Sequence, residues 1–537
     1  MARKEGKMNV SSIDALGDDL LRNVLRRLPS SSFASAACVS RYWNHLCDTV
    51  LCTPKLSSAH SSNPSLQEAV EEVFNKVFAE LIRPHFAIVT VTSLDLEEAR
   101  QLITKKLGST IPIIYTAPTG LIGRDAITNE FKEIRWQVYF DRNYSYSVSF
   151  DDDDSAVRQR RVICLTVGFL PGLKVAAVPL FQSYMVPFVD EFLEDISECV
   201  TSVSGCMAPI GMILFTLYII KYLYSPHPTL TVLDSLNYSM SPETVIVGDR
   251  CGEFLCGNDS MNKRSKRKRQ PLFMVAVALL FMQDPNKPPG IGDIKLHVAL
   301  SAGLVPVGHT YEVTSVNESS FYWTKLTARS ENSDQNFDEQ TLRNIFGIGN
   351  QALFGAYIGI VKKRKGIAGF EEVNWLSSQI FHEVHGDDKE YLVVDSGADI
   401  KTGDCFRFFK EDSHMTSSSL RQVSDKFRDL KISCDVGNSD RQRIRPANSE
   451  KMKIFGGIIF SCISRGKPHG KANLGSSPFL ENFPDVPLAG SFCVGEICRG
   501  DSSSYGQLSE EGSHRCCLHY NSSVYLLMSY TPSSQGS

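Results

Sequence analysis

A chain of 537 residues is too long for one ordinary hydrophobic core, and at about 150 residues per domain it holds three or four folding units. Hydrophobic residues make up 42%, enough for each unit to bury a core, and the formal net charge of −4 excludes a global attraction to nucleic acid. Fifteen cysteines, scattered and odd in number, behind a polar start at Met1-Ala2-Arg3-Lys4-Glu5, argue against a secreted disulfide scaffold and for reduced thiols in cytosol or nucleus.

The first elements are three short helices between Ser12 and Leu51. Asp18 and Asp19 stand at a helix start, where the dipole favours acids, and Leu20, Leu21, Val24, Leu25 and Leu28 form one apolar stripe that Pro29 ends. Ser30 to Ser32 offer a cap for a second helix bearing Phe33, Ala36 and Ala37. Val39-Ser40-Arg41-Tyr42-Trp43 then opens a third, with Trp43 and Leu46 three apart. A unit of about 40 residues is marginal alone, so this stripe predicts an interface.

Ser57 to Ser65, with Asn63-Pro64, reads as a linker. Val70, Val73, Phe74, Val77, Phe78 and Leu81 predict a helix running to Pro84, and His85 to Val91 a β-branched strand. Leu94 to Leu107 carries Glu97 and Glu98 early and Lys105 and Lys106 late, as a helix dipole favours, and Ile111 to Tyr115 is again extended. Beyond an acidic loop at Asp151 to Asp154, strands are expected at Val162 to Phe169 and Thr244 to Val247, with a helix between them marked by Phe188, Phe192, Ile196 and Val200. Gly211 to Tyr224 is apolar apart from Thr216 and Lys221; a bilayer helix wants ~20 apolar residues, so a buried strand running into an insertion at 216–228 is expected. Pro271 to Met282 reads as one or two core strands, and Ile294 to Ser301 as another. This alternation predicts an α/β or α+β layered domain, neither helical nor all-β, and with the three N-terminal helices the expected fold class is α+β.

No leucine-rich, tryptophan-aspartate or kelch period is present. Neither a Gly-x-Ser-x-Gly elbow nor a phosphate-binding loop occurs, and His382-Glu383-x-His385 spaces its histidines by three instead of the four that a zinc-binding helix face needs. Cys493, Cys498, Cys516 and Cys517 read as buried thiols and not as zinc ligands, since adjacent Cys516 and Cys517 do not readily point at one ion. No metal, cofactor or catalytic residue is therefore expected. Lys263-Arg264-Ser265-Lys266-Arg267-Lys268-Arg269 must be exposed and reads either as a nuclear-import signal or as a solvated loop. Lys362-Lys363-Arg364-Lys365 is a weaker cluster, and neither is interleaved with the aromatics that nucleic-acid binding would use.

Leu16, Asp19-Leu20-Leu21, Val24-Leu25, Leu28-Pro29, Phe33 and Cys38-Val39-Ser40-Arg41 with Trp43 together resemble the F-box, with Gly17 standing where that family has proline. Tyr115-Thr116-Ala117-Pro118-Thr119-Gly120 with Gly123-Arg124-Asp125, Gly168 to Lys174, and Pro289-Gly290-Ile291-Gly292 with His297 resemble the N-terminal half of a FIST sensor. Gly403-Asp404-x-Phe406, Cys462 to Gly466, Gly490 to Ile497 and Leu518-His519-Tyr520 resemble its C-terminal half. The resemblance implies an F-box with a short N-terminal tail at 1–52, a linker at 53–69, FIST halves at 70–310 and 311–530, and a disordered tail at 531–537. It further implies a non-catalytic substrate receptor of a Skp–cullin–F-box ubiquitin ligase, cytoplasmic or nuclear, with no membrane or nucleic-acid partner. The Skp-family adaptor would be held by Leu16, Leu20, Leu21, Val24, Leu25, Leu28, Pro29, Val39 and Trp43. FIST domains elsewhere imply an amino-acid-like ligand, for which Arg465, Gly466, Gly495, Glu496 and His519 are the pocket candidates: Arg465 could clamp a carboxylate and Glu496 an ammonium. The competing reading makes these residues supports of the fold, and a ligand-sensing signalling protein is the alternative to the ligase role.

Overall fold

The structure, a computed structural model, describes residues 17–92, 95–140, 146–150, 161–182, 188–217, 228–257, 273–288, 290–318, 323–331, 343, 345–346, 355–365, 375–388, 391–395, 400–435, 452–465, 475–499 and 516–533.

Three helices open it: α1 (Asp18–Arg26), α2 (Ser30–Ala37) and α3 (Arg41–Leu51). Asp18 and Asp19 occupy the first turn of α1, Pro29 separates α1 from α2, and the Ser40 hydroxyl caps α3 by accepting the Trp43 N–H at 3.1 Å. Leu21, Leu25, Phe33, Ala36, Leu46, Cys47 and Val50 form a small core, against which Leu28, Trp43 and Leu81 pack. Full burial of a leucine such as Leu25 is worth about 1.5–3 kcal/mol, so few side chains hold this module.

The body begins earlier than expected. Residues 57–61, read as linker, lie in β1 (Lys55–Ser61), which is followed by α4 (Leu66–Val77), β2 (Phe86–Val91), α5 (Leu96–Leu107) and β3 (Ile113–Ala117). The serines that suggested a linker hydrogen-bond within the fold: Ser58 Oγ with Thr166 Oγ1 at 2.8 Å, and Ser57 Oγ to the Val77 carbonyl. Next come β4 (Gly120–Arg124), β5 (Phe131–Phe140), β6 (Tyr146–Phe150), β7 (Ile163–Phe169), β8 (Leu173–Gln182), α6 (Val189–Ser204), β9 (Gly211–Leu217), α7 (Pro228–Ser239), β10 (Val245–Cys251), β11 (Glu253–Cys256) and β12 (Phe273–Gln283). The expected strand and insertion at 211–224 is therefore a strand to Leu217, and 218–227 lie outside the described residues.

The remaining elements are β13 (Asp293–Ser301), β14 (Leu304–Glu318), β15 (Trp323–Ser330), β16 (Ala356–Lys365), β17 (Trp375–Asp388), β18 (Tyr391–Asp395), β19 (Cys405–Glu411), α8 (Ser413–Asp435), β20 (Lys453–Cys462), α9 (Ser477–Asn482), β21 (Leu488–Cys493), β22 (Glu496–Arg499), β23 (Cys516–His519) and β24 (Ser523–Thr531). They assemble, with the earlier strands, into sheets ordered β1-β7-β2-β3-β11, β23-β22-β10-β9-β12-β8 and β13-β24-β20-β21-β4-β5-β6, plus a closed barrel β14-β15-β18-β17-β16-β19. The fold is α+β, as the alternation predicted, and the barrel was not foreseen.

Segments on either side of residue 310 share sheets: β4 pairs with β21, β10 with β22, and β13 with β24. The chain passes from the first sheet to the third within Ala117–Gly120, where the Thr119 N–H and hydroxyl both donate to the Phe492 carbonyl at 2.9 Å and the Trp136 indole donates to the Pro118 carbonyl at 2.8 Å. Leu56, Phe86, Phe215, Val277, Ile458 and Val524 meet in a core that all three sheets supply. A separate core, with Tyr311, Val313, Leu326, Ile358 and Phe408, fills the barrel. No helix among the described residues is long and apolar enough to cross a membrane.

Candidate functional site

Two regions collect the expected functional residues. The first is the outer face of the N-terminal helices. Leu20 and Val24, one turn apart on α1, are 57% and 50% exposed, and Val39 and Tyr42 are 65% and 41% exposed. The Tyr42 hydroxyl donates to Asp18 Oδ1 at 2.6 Å, which ties the start of α3 to the start of α1. The stripe expected to dock an adaptor is thus split in two. Leu21 and Leu25 are 1% and 0% exposed inside the module, because three packed helices need an interior and these two leucines supply it; they are supports and not contact residues. Leu28 and Trp43 are half-buried, Pro29 is exposed, and Leu16 lies outside the described residues. Tyr42 was missed because an amphipathic hydroxyphenyl group carries no periodic signal of its own. Gly17, the departure from the F-box pattern, holds φ −60° and ψ 158°, with nothing near a Cβ built on it, so the backbone takes a conformation that proline also takes.

The second region is a buried polar layer where β13, β20, β22 and the turn from β23 to β24 meet. Arg465 is 2% exposed; its Nη1 donates to the carbonyls of Ser301 and Asn521 and its Nη2 to Ser301 Oγ at 2.8 Å. Asn521 makes that turn with φ 47°, a left-handed conformation that asparagine tolerates. Glu496, fully buried, accepts from the Ser522 hydroxyl and N–H on one oxygen and from Cys493 Sγ at 3.3 Å on the other. Opposite it in the ladder stands a second buried carboxylate, Asp249, which accepts from Ser491 Oγ at 2.9 Å.

Burial pushes the Glu496 carboxyl up to about 8, against the opposing pull of the Ser522 hydrogen bond, the Cys493 thiol and the Arg465 guanidinium. Burial, then the neighbouring Glu496, raises the Cys493 thiol well above its ordinary range, and the same two causes push Cys462 to about 12, so neither is a ready thiolate. His519, paired across from Glu496 in β23, is lowered to about 4 by burial, partly offset by a hydrogen bond to the Cys498 backbone, and is neutral near pH 7.

Arg465, Glu496 and His519 are therefore brought together, but their groups are turned to the chain's own carbonyls, hydroxyls and thiols. Gly495 belongs to the packing, since a Cβ there would lie 2.9 Å from Leu518 Cδ1. Gly466 lies outside the described residues. Asp249, Ser301, Ser491 and Ser522 complete the layer and were not anticipated. Asp249 had a faint signal: an acid two residues beyond the apolar run Val245-Ile246-Val247, on a strand that runs on to Cys251.

Among the described residues no group of three or more histidine, cysteine or acidic side chains is placed to hold a metal. Cys498 stands across from Cys517 in the β22–β23 ladder, and His382 is buried on strand β17 instead of on a helix. The nuclear-import candidates Lys263, Arg264, Lys266, Arg267, Lys268 and Arg269 lie outside the described residues.

Residues 13–55 match the F-box domain and residues 326–499 the FIST C domain. The chain is also similar to an Arabidopsis thaliana protein named F-box/LRR-repeat protein At5g63520: 37% identity over 533 residues, covering 97% of this chain and 94% of that protein. The described body here is three mixed sheets and a barrel, whatever that name says of repeats. An F-box supports docking to a Skp-type adaptor and through it to a cullin–RING ligase, and F-box proteins are in general non-catalytic substrate receptors. With an F-box at its start and a FIST C domain in its second half, and with a relative alike along nearly its whole length, this chain belongs to the family of F-box proteins.

Proposed function

We propose that the protein is the substrate-recognition subunit of a Skp–cullin–F-box ubiquitin ligase, delivering a protein substrate for ubiquitination and proteasomal degradation. The observation that carries this reading is the exposed Leu20, Val24, Val39 and Tyr42 face on a module too small to need it for its own core. Ubiquitin transfer would be chemistry of the recruited subunits; the chain supplies proximity, which converts a bimolecular encounter into an effectively intramolecular one. Leu20→Asp with Val24→Asp tests the reading. The double variant keeps helices α1–α3 while capture of a Skp-family adaptor falls by about 100-fold or more, because charge is forced into an apolar contact. Undiminished capture by the folded double variant refutes the assigned face.

Sensing of an amino-acid-like ligand is the second function that a FIST domain fits, but Arg465 and Glu496 are used in cross-linking strands. Titration calorimetry of the folded protein with amino acids reads this directly, and measurable heats of binding would restore it.

A further inference from the structure

Strand β8 ends the six-stranded sheet: β12 pairs with one of its sides, and among the described residues no strand pairs with the other. The outward side can be identified. The Phe181 carbonyl accepts from the Phe188 N–H, a bond directed away from β12, and Pro179, which has no N–H to give, shares that parity. Backbone groups of Val175 and Ala177 therefore point outward as well, and among the described residues their N–H and C=O groups have no partner beyond the sheet. Alongside runs a groove of about 830 Å³, lined by Ala177, Pro179 and Phe181 on the strand side and by Asp195, Glu198 and Ser202 of α6 on the other. Helix α6 carries Asp190, Glu191, Glu194, Asp195 and Glu198 and no lysine or arginine.

We propose that this groove docks a basic, extended segment of a protein partner, which adds to β8 as a further strand and lays lysine or arginine side chains against the acidic flank of α6. The inference rests on the substrate-receptor reading for the partner being a substrate. Backbone pairing to Val175 and Ala177 supplies affinity without sequence, and the acids select the charge. Four or five residues at about 3.3 Å each span the available edge. Pro179 limits the outward donors, which keeps the edge from recruiting strands indiscriminately.

The probe is a fluorescein-labelled octapeptide of alternating lysine and valine, read by anisotropy against the full chain, with capture of a Skp-family adaptor measured on the same preparation. N-methylation of alternate peptide bonds keeps every charge and removes the strand-pairing donors; it is expected to weaken binding by about tenfold or more. Asp195→Lys with Glu198→Lys is expected to weaken the unmodified peptide by a further factor of about ten while adaptor capture stays unchanged. Equal binding of methylated and unmodified peptides reduces the groove to a patch of charge and overturns the proposal, as does no binding by protein that still captures adaptor. Binding seen only after Lys266, Arg267, Lys268 and Arg269 are replaced by alanine assigns the edge to this chain's own basic run and overturns the partner. Peptide binding with adaptor capture lost leaves the docking edge standing and removes the ligase reading alone.

Discussion

The N-terminal helices and the body handle polarity in opposite directions. The helices hold large apolar side chains at the surface, Leu20, Val24 and Val39 among them, around a core of a few leucines and small residues. The body takes Arg465, Glu496, Asp249 and His519 into its interior and meets most of their polar atoms with serines, a thiol and backbone groups. Exposed apolar surface is worth most once a partner covers it, whereas a buried charge is worth most when nothing disturbs it. The difference separates a part of the molecule that leaves apolar side chains at its surface from a part that draws polar ones into its interior.

The sharpest way to break this contrast is Leu25→Asp. A charge placed in the small core is expected to cost about 4 kcal/mol or more, melting α1–α3 and abolishing adaptor capture together, as read by hydrogen exchange of residues 18–51. Retained exchange protection with capture lost would return Leu25 to the contact surface. Next in size, Arg465→Ala strands the Ser301 and Asn521 carbonyls and the Ser301 hydroxyl and removes the cation that draws the Glu496 carboxyl down; a loss of about 3 kcal/mol is expected in the thermal unfolding of the body, mostly from the stranded buried groups, with adaptor capture unaltered.

His60 sharpens the comparison from the other side, being a buried polar group that is not well served. It lies on β1 opposite Cys164 with neither ring nitrogen hydrogen-bonded, and burial, opposed by Asp125, lowers it to about 4. Its folded pKa lies below the ordinary 6.5, so the neutral ring's contribution is intact above pH 6.5 and is lost as pH falls through 4. His60→Leu is expected to stabilise by about 1–2 kcal/mol at pH 7.5 and by more at pH 5. An equal gain at both pH values in thermal melts would sink this account. The smallest effect is expected from Gly17→Pro, about 0.4–1 kcal/mol of added stability in the helical module, because the backbone already holds proline's φ and the unfolded chain loses freedom. A fall in helix protection on that change would show that Gly17 serves some purpose other than starting α1.

Much of the helical content could be read from the chain. α4, α5 and α6 each bury one face at a 3.6-residue period, so a count of apolar positions finds them. Strands β2, β3, β7 and β12 were legible as apolar runs, since both faces are covered. β1 was not, because Ser57, Ser58 and His60 dominate its composition and its partner β7 lies a hundred residues away. The barrel was hidden for a related reason: closure depends on β14 meeting β19 and β16 meeting β19, pairings that no local pattern encodes. In the candidate site, residue types such as Arg465 and Glu496 could be singled out, while the direction they face could not, because that depends on Ser301 and Ser522 arriving from other strands.

The sharing of sheets across residue 310 has a consequence for how the protein comes into being. β13 has no ladder partner until β24 is made, and β4, which pairs locally with β5, stays open on its other side until β21 follows, so the third sheet cannot close until the last tenth of the chain has left the ribosome. The three helices, whose contacts are local, can form as soon as they emerge. A nascent chain of this kind shows the exposed apolar face of its helices before the third sheet is complete, and a truncation just before β24 leaves β13 without its ladder partner and β20 open on one side, while the first sheet and the barrel keep all their strands.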